Sequence, residues 1–239
     1  MTVEEFSPGF VLYSGNMFGG KTAHAILACQ RADEAKKKVQ AFRIDWDDRY
    51  GSGFITANNG QLKYPATMCP NLDFLVDSLS EDTELIYIEE LQFWDERVLD
   101  LIKDKYQKTR ILSTALPLDY RGNPFPFRSV RDKEIDSEKN VGEAMAISTR
   151  LKQFWPTCDY VSNGEKCGHP AYFPQRWRED GTLSRFEDET VKVGAKNAYL
   201  PVCEKHFARP LQKGIFQLST REKISSDDER YSRERHLVD

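Results

Sequence analysis

Gly15-Asn16-Met17-Phe18-Gly19-Gly20-Lys21-Thr22 is the stretch whose reading decides the fold, because it fits the spacing G-x-x-x-x-G-K-[ST] at every required position. Glycine tolerates backbone angles that aim successive N–H groups inward, so a loop of this kind forms an anion cradle at the start of the next helix. Residues Gly15 to Gly20 would wrap a nucleotide phosphate, Lys21 would reach the β- and γ-phosphates, and the Thr22 hydroxyl would hold Mg²⁺. The flanks agree. Phe10-Val11-Leu12-Tyr13-Ser14 reads as a buried strand. From Thr22 to about Lys37 there is neither Pro nor Gly, and Ala25, Ile26, Cys29 and Ala32 recur at helical spacing.

Further along, strand and helix patterns alternate. Val39 to Ile44 predicts a strand, 47–70 loops and a hairpin, Leu72 to Leu79 a helix, and Glu84 to Glu89 a buried strand. Asp95 to Tyr106 predicts an amphipathic helix, Arg110 to Leu116 a strand, Pro117 to about Asn140 a charged loop, and Gly142 to Lys152 a helix. Such alternation implies crossover units, hence an α/β fold with a mainly parallel sheet and helices on both faces. A phosphate loop in that setting makes it a P-loop, RecA-like sheet. Ligands of these sheets bind beyond the carboxyl ends of the strands, so Glu89 and Glu90 would lie beside the phosphate loop. One carboxylate can hold Mg²⁺ and its neighbour can accept a proton from an attacking hydroxyl.

Composition narrows the field. The 239 residues are 39% hydrophobic with fourteen Phe and ten Tyr, which is enough for a real core and excludes wholesale disorder. The net charge of −4 lacks the basic excess of a general nucleic-acid binder and disfavours a nucleic-acid motor. No run of about eighteen apolar residues exists, and the acidic start MTVEEFSPGF is unlike a secretory signal, so neither membrane nor export is expected. Five cysteines without a dense framework suit a reduced, cytoplasmic protein.

Three of those cysteines fall in a segment of different character, 156–207, rich in aromatics and turn residues. Cys158, Cys167, Cys203 and His206 form C-x₈-C…C-x₂-H, a ligand set suited to structural zinc, with His169 as a competing ligand beside Cys167. Cys29 and Cys69 read as ordinary buried thiols. The expected organisation is a nucleotide-binding domain over 1–155, a small zinc-binding unit over 156–207 and a charged tail over 208–239.

These residues together resemble the type II (cellular, bacterial and phage) thymidine kinases. SGNMFGGKT resembles that family's G-x-M-F-[SG]-G-K-[ST], Asp48-Arg49-Tyr50 its D-x-R-Y, and Glu89-Glu90-Leu91-Gln92-Phe93 its D-E-x-Q-F. Leu118-Asp119-Tyr120-Arg121-Gly122-Asn123-Pro124-Phe125 is similar to its L-D-x-x-F-R-G-x-P-F. Cys167 to Ala171, Val193-Gly194-Ala195 and Tyr199 to His206 look like its zinc and lasso segments, in family order.

The resemblance implies transfer of the ATP γ-phosphoryl group to the 5′-hydroxyl of thymidine or a related pyrimidine deoxynucleoside. It implies Glu90 as general base with Lys21 catalytic, Glu89 and Thr22 at Mg²⁺, and Arg49 at the phosphate site. Met17, Phe93, Phe125 and Phe173 would wall the base pocket, and Val193, Gly194 and Tyr199 would line the covering lasso. The implied zinc is structural, and the implied assembly a homotetramer. Three positions depart from the pattern. Glu89 replaces the usual Asp, Pro117 the usual Asp of the G-L-D stretch, and Phe173 a small Thr. They point to a modified or larger pyrimidine as acceptor, or to a nucleotide-binding regulatory protein that has lost the reaction.

Overall fold

Along the first strand, β1 (Gly9–Gly15), all seven residues are buried, which only a strand covered on both faces can support. Phe10 and Leu12 enter one core while Val11 and Tyr13 enter another, as the two-residue period of a strand requires. This is seen in a computed structural model, which describes residues 7–46, 53–57, 60–128, 136–191 and 198–210.

After β1 come α1 (Lys21–Glu34), β2 (Val39–Ile44), a hairpin of β3 (Phe54–Thr56) and β4 (Lys63–Pro65), then β5 (Thr67–Cys69) and α2 (Leu72–Ser78). β6 (Leu85–Ile88), a single 3₁₀ turn (Leu91–Phe93), α3 (Val98–Lys105) and β7 (Arg110–Ala115) follow. A second hairpin, β8 (Pro126–Arg128) with β9 (Asp136–Asn140), leads into α4 (Val141–Ile147) and β10 (Arg150–Phe154). The main sheet has six strands in the order β10-β1-β7-β6-β2-β5, with every neighbouring pair parallel. This is the α/β phosphate-loop architecture expected from the alternating pattern.

The two faces are covered differently. On one, α1 contributes Ala25, Ile26, Cys29 and Ala32 beside the β3–β4 hairpin, whose Ile55 and Tyr64 close the core. On the other, α2, α3 and α4 pack Leu72, Leu75, Val98, Ile102, Val141 and Ala144 against Phe10, Leu12, Phe42, Ile86 and Ile111. Side-chain caps start two of these helices: Asn71 accepts from the Phe74 N–H at 2.9 Å and Asn140 from the Gly142 N–H at 2.9 Å.

The expected helix over Gly142 to Lys152 is corrected. It stops at Ile147, and Arg150–Phe154 is a strand. Ser148 turns extended, and the Thr149 N–H and hydroxyl both donate to the Phe10 carbonyl, at 2.9 and 3.0 Å. From there the chain pairs with β1 from Val11↔Arg150 to Gly15↔Phe154. Sheet pairing overrode a local helical pattern. The helix expected over Asp95 to Tyr106 is shorter, and the charged loop after Pro117 contains the β8–β9 hairpin.

Past β10 lie two small antiparallel strand pairs, β11 (Val161–Ser162) with β12 (Glu165–Lys166), and β13 (Phe173–Arg176) with β14 (Tyr199–Val202). Cys158, Tyr160, Ala171, Val202 and Cys203 form their own buried cluster there. Ala208 donates its N–H to Gln175 Oε1 at 2.8 Å and Arg209 donates to the Arg121 carbonyl at 3.1 Å, while the remaining tail, 211–239, lies outside the described residues. No helix among the described residues is long and apolar enough to cross a membrane.

Leu12 is fully buried on β1, an interior strand of the sheet. Leu12→Ala should therefore lower the unfolding free energy by about 2–5 kcal/mol. A urea titration tests this. The midpoint should fall with little change in slope, and an unmoved midpoint would contradict the packing described.

Candidate functional site

The phosphate loop is shaped by a close approach of two backbones. Gly15 has φ +150°, and a Cβ there would overlap the carbonyl of Phe154 at the end of β10. A Cβ on Gly19 would lie 2.5 Å from the same oxygen. Gly20 (φ +88°) starts α1 with no side-chain cap, so the first N–H groups of the helix meet no competing side-chain acceptor. Phe18 also takes a positive φ, 64°, and its ring is exposed. Asn16 is buried and braces the loop. Its Oδ1 accepts the Met17 N–H at 2.8 Å, and its Nδ2 donates to the Ala171 carbonyl at 3.3 Å.

Lys21 is buried, and its ammonium donates to the Asn16 carbonyl at 3.0 Å. Among the described residues no carboxylate is close enough to form an ion pair with it. Burial pushes its pKa down, opposed by the fields of Glu90 and then Glu89. A buried ammonium without a counter-charge is unfavourable, and an anionic polyphosphate in the cradle would relieve it. The lysine, the uncapped amides and the glycine backbone thus fit a nucleotide phosphate. Thr22 sits half-buried on the first turn of α1.

β6 delivers the carboxylates. Glu89 is buried, with Oε2 lying 3.7 Å from Nε of Arg43, a buried residue of β2 that also donates to the Phe54 carbonyl at 3.0 Å. Glu90 adopts a left-handed conformation, φ 47° and ψ 63°, which costs a non-glycine residue about 1–2 kcal/mol. The surrounding bonds hold it there. Its N–H donates to Thr114 Oγ1 at 3.0 Å, its carbonyl accepts the Phe93 N–H at 2.9 Å, and Gln92 Nε2 donates to its carboxylate. The Trp94 indole donates to the preceding carbonyl, that of Glu89, at 3.0 Å.

Sequence reasoning had not singled out Arg43, Thr114 or Trp94, and had treated Gln92 only as part of a motif. A usable signal existed for two of them. Arg43 is a charge inside the apolar strand Phe42–Ile44, and Gln92 is a polar residue inside the apolar run Leu91–Trp94. Both had to find partners in the fold.

The apolar residues expected to wall a base pocket do not all meet. Phe93 stands 5.0 Å from Trp46 and edge-on to Phe125 at 6.4 Å, and Met17 packs against the same core. Phe173 instead stacks on Phe207, with centroids 4.3 Å apart and planes at 9°, beside Gly122. Tyr199 is half-buried on β14, opposite Arg176. Arg49, Val193 and Gly194 lie outside the described residues. The segment leading to that last pair is firmly tied down. Arg121 donates to the carbonyls of Phe186 and Asp188 at 2.7 and 2.6 Å and to Thr190 Oγ1 at 2.8 Å. Arg176 lies over the Tyr120 ring at 3.6 Å, and Asp188 pairs with Arg178 at 2.5 Å.

Cys158, Cys167, Cys203 and His206 converge, with all four ligand atoms within 4.8 Å of one another. Cys167 Sγ lies 3.8 Å from Cys203 Sγ, and His206 Nδ1 lies 3.5 and 3.4 Å from the sulfurs of Cys158 and Cys203. These are close to the edges of a tetrahedron centred about 2.3 Å from sulfur and about 2.0 Å from nitrogen, so the set fits zinc. His206 stacks on Tyr160 at 3.8 Å, and burial lowers its pKa, which favours the neutral, ligating imidazole. His169, the competing candidate, stands outside the group with Nδ1 3.3 Å from Cys167 Sγ. With four protein ligands no position is left for water, so such an ion would brace structure.

A family model described as thymidine kinase matches residues 9–207, most of the chain. The match spans the phosphate loop, the carboxylate turn and the cysteine cluster.

Elemental analysis of protein purified without chelator should find one zinc per chain, absent in Cys203→Ser. Stripping the metal should lower the melting temperature. A metal-free preparation with the same melting curve would remove the structural role.

Proposed function

Because the chain belongs to the thymidine kinase family, we propose that it moves the γ-phosphoryl group of ATP to the 5′-hydroxyl of thymidine or a related or modified pyrimidine deoxynucleoside. The observation that carries this reading is the buried Lys21 ammonium, without an ion-pair partner among the described residues and within the electrostatic field of Glu90 and Glu89. In the reaction the 5′-oxygen bonds to the γ-phosphorus, the bond from that phosphorus to the β–γ bridging oxygen breaks, and ADP leaves. Glu90 takes the proton of the attacking hydroxyl. Lys21 and the amides from Gly15 to Thr22 hold the phosphates and offset the charge that gathers on them.

Thr22 and Glu89 would hold Mg²⁺, which when bound neutralises phosphate charge. Arg43 keeps the Glu89 carboxylate directed inward. Met17, Phe93 and Phe125 would form the apolar side on which a pyrimidine lies, and Val193, Gly194 and Tyr199 match the family's lasso segment, which would exclude water from it. Arg49, by its match to the family's D-x-R-Y segment, would support the phosphate site. Phe173 stands where the family usually has a small Thr, and this departure is the reason for including modified pyrimidines among the acceptors. The Cys158, Cys167, Cys203 and His206 zinc is structural. A cytoplasmic homotetramer is the assembly the family suggests.

A coupled assay with ATP, Mg²⁺ and a panel of nucleosides tests the reading. ADP release should depend on a pyrimidine deoxynucleoside; nucleotide binding without nucleoside-dependent turnover would favour a regulatory protein instead. Lys21→Ala and Glu90→Gln should each cut kcat by about 100-fold or more with the melting temperature nearly unchanged. Wild-type turnover in either variant would strip that residue of its assigned role.

A further inference from the structure

Gln92 is fully buried, yet it is polar and sits on a single 3₁₀ turn among Leu91, Phe93 and Trp94. Its amide is oriented without ambiguity. The Leu116 N–H can only donate, and it meets Gln92 Oε1 at 3.1 Å. The nitrogen of the amide must therefore face the other way, where it donates to Oε2 of Glu90. The same strand that supplies Leu116 just beyond its end also supplies Thr114, whose hydroxyl accepts the Glu90 N–H at 3.0 Å. Two neighbouring points of β7 thus grip Glu90, one through its backbone and one through its carboxylate.

This grip has a physical purpose. A left-handed non-glycine residue is strained and would relax if released. Glutamate also has three side-chain torsions, so a free carboxylate would sample many positions. A hydrogen bond from a buried, pre-oriented amide selects one of them without adding a charge that would compete for the proton. On the reading of Glu90 as the base, we infer that Gln92 is a positioning residue: it relays the register of β7 to the Glu90 carboxylate and holds that carboxylate at the phosphate loop. Thr114 is its backbone counterpart.

A merely structural Gln92 and a positioning one differ in which half of the amide matters. Gln92→Glu keeps the size and the oxygen that accepts from Leu116, but replaces the neutral amide donor to Glu90 by a second carboxyl, which either repels Glu90 or shares a proton with it and so impairs it as a base. Gln92→Leu removes both halves. If Gln92 positions Glu90, both variants lose about 10- to 100-fold in kcat with thymidine and magnesium ATP, while each KM stays within about threefold. Gln92→Glu, close in shape to the native residue, serves even if Gln92→Leu fails to fold. If instead Gln92 only ties Leu116, Gln92→Glu keeps kcat within about twofold, and the inference is overturned. A rise in KM with kcat retained overturns it too. Glu90→Gln is measured alongside. Should it retain turnover, the base assignment fails and this inference with it; should it be inactive while Gln92→Glu is active, only the role of Gln92 falls.

Discussion

A buried ammonium ion that no carboxylate among the described residues pairs with is the constraint around which this molecule is arranged. Lys21 reaches inward at the first turn of α1 and finds the carbonyl of Asn16 rather than an acid. An internal salt bridge would have quenched it and left nothing for a ligand. Glu90 and Glu89 supply attraction from a distance, enough to oppose desolvation without closing a pair. The charge is thereby kept available for an anion of the right size. The glycines at 15, 19 and 20 serve the same end, since side chains there would collide with β10 or force the loop away from the helix start.

Holding a loop in that state requires rigid surroundings. The sheet provides them on one side, through the parallel pairing of β1 with β7 and β10. Asn16 provides them on the other, since its side chain bridges the loop to the carbonyl of Ala171. Ala171 lies four residues beyond Cys167 and is buried in the small cluster with Cys158 and Cys203. A metal tying those cysteines would therefore also steady the wall against which the phosphate loop leans. The cysteine cluster is remote from the carboxylates in sequence, but the buried Asn16 amide joins it to the loop.

The carboxylate turn follows the same logic. Glu89 is paired with Arg43 and Glu90 is held by Thr114 and Gln92, so the two adjacent acids are fixed by different partners. Strain at Glu90 persists because its N–H, its carbonyl and its carboxylate all have partners. Similar over-determination is seen where Tyr120, Arg121 and Arg176 hold the segment before Val193 with hydrogen bonds to its backbone carbonyls.

How much of this was legible in the sequence depended on the range of the forces involved. The glycine spacing and the apolar runs determined the phosphate loop, most of the strands and the α/β class, because each reflects a local backbone requirement or a two-sided burial pattern. The convergence of Cys158, Cys167, Cys203 and His206 was legible too, since metal-ligand chemistry restricts which residues serve. The sequence could not decide that Arg150–Phe154 would leave its helical pattern for the sheet, because a hydrogen-bonded partner 139 residues away, Phe10, stops the helix. Nor could it rotate Phe173 onto Phe207, or assign partners to Arg43 and Gln92. Those outcomes depend on which buried polar and aromatic groups the packed chain brings within reach of one another, and only the tertiary structure sets those distances.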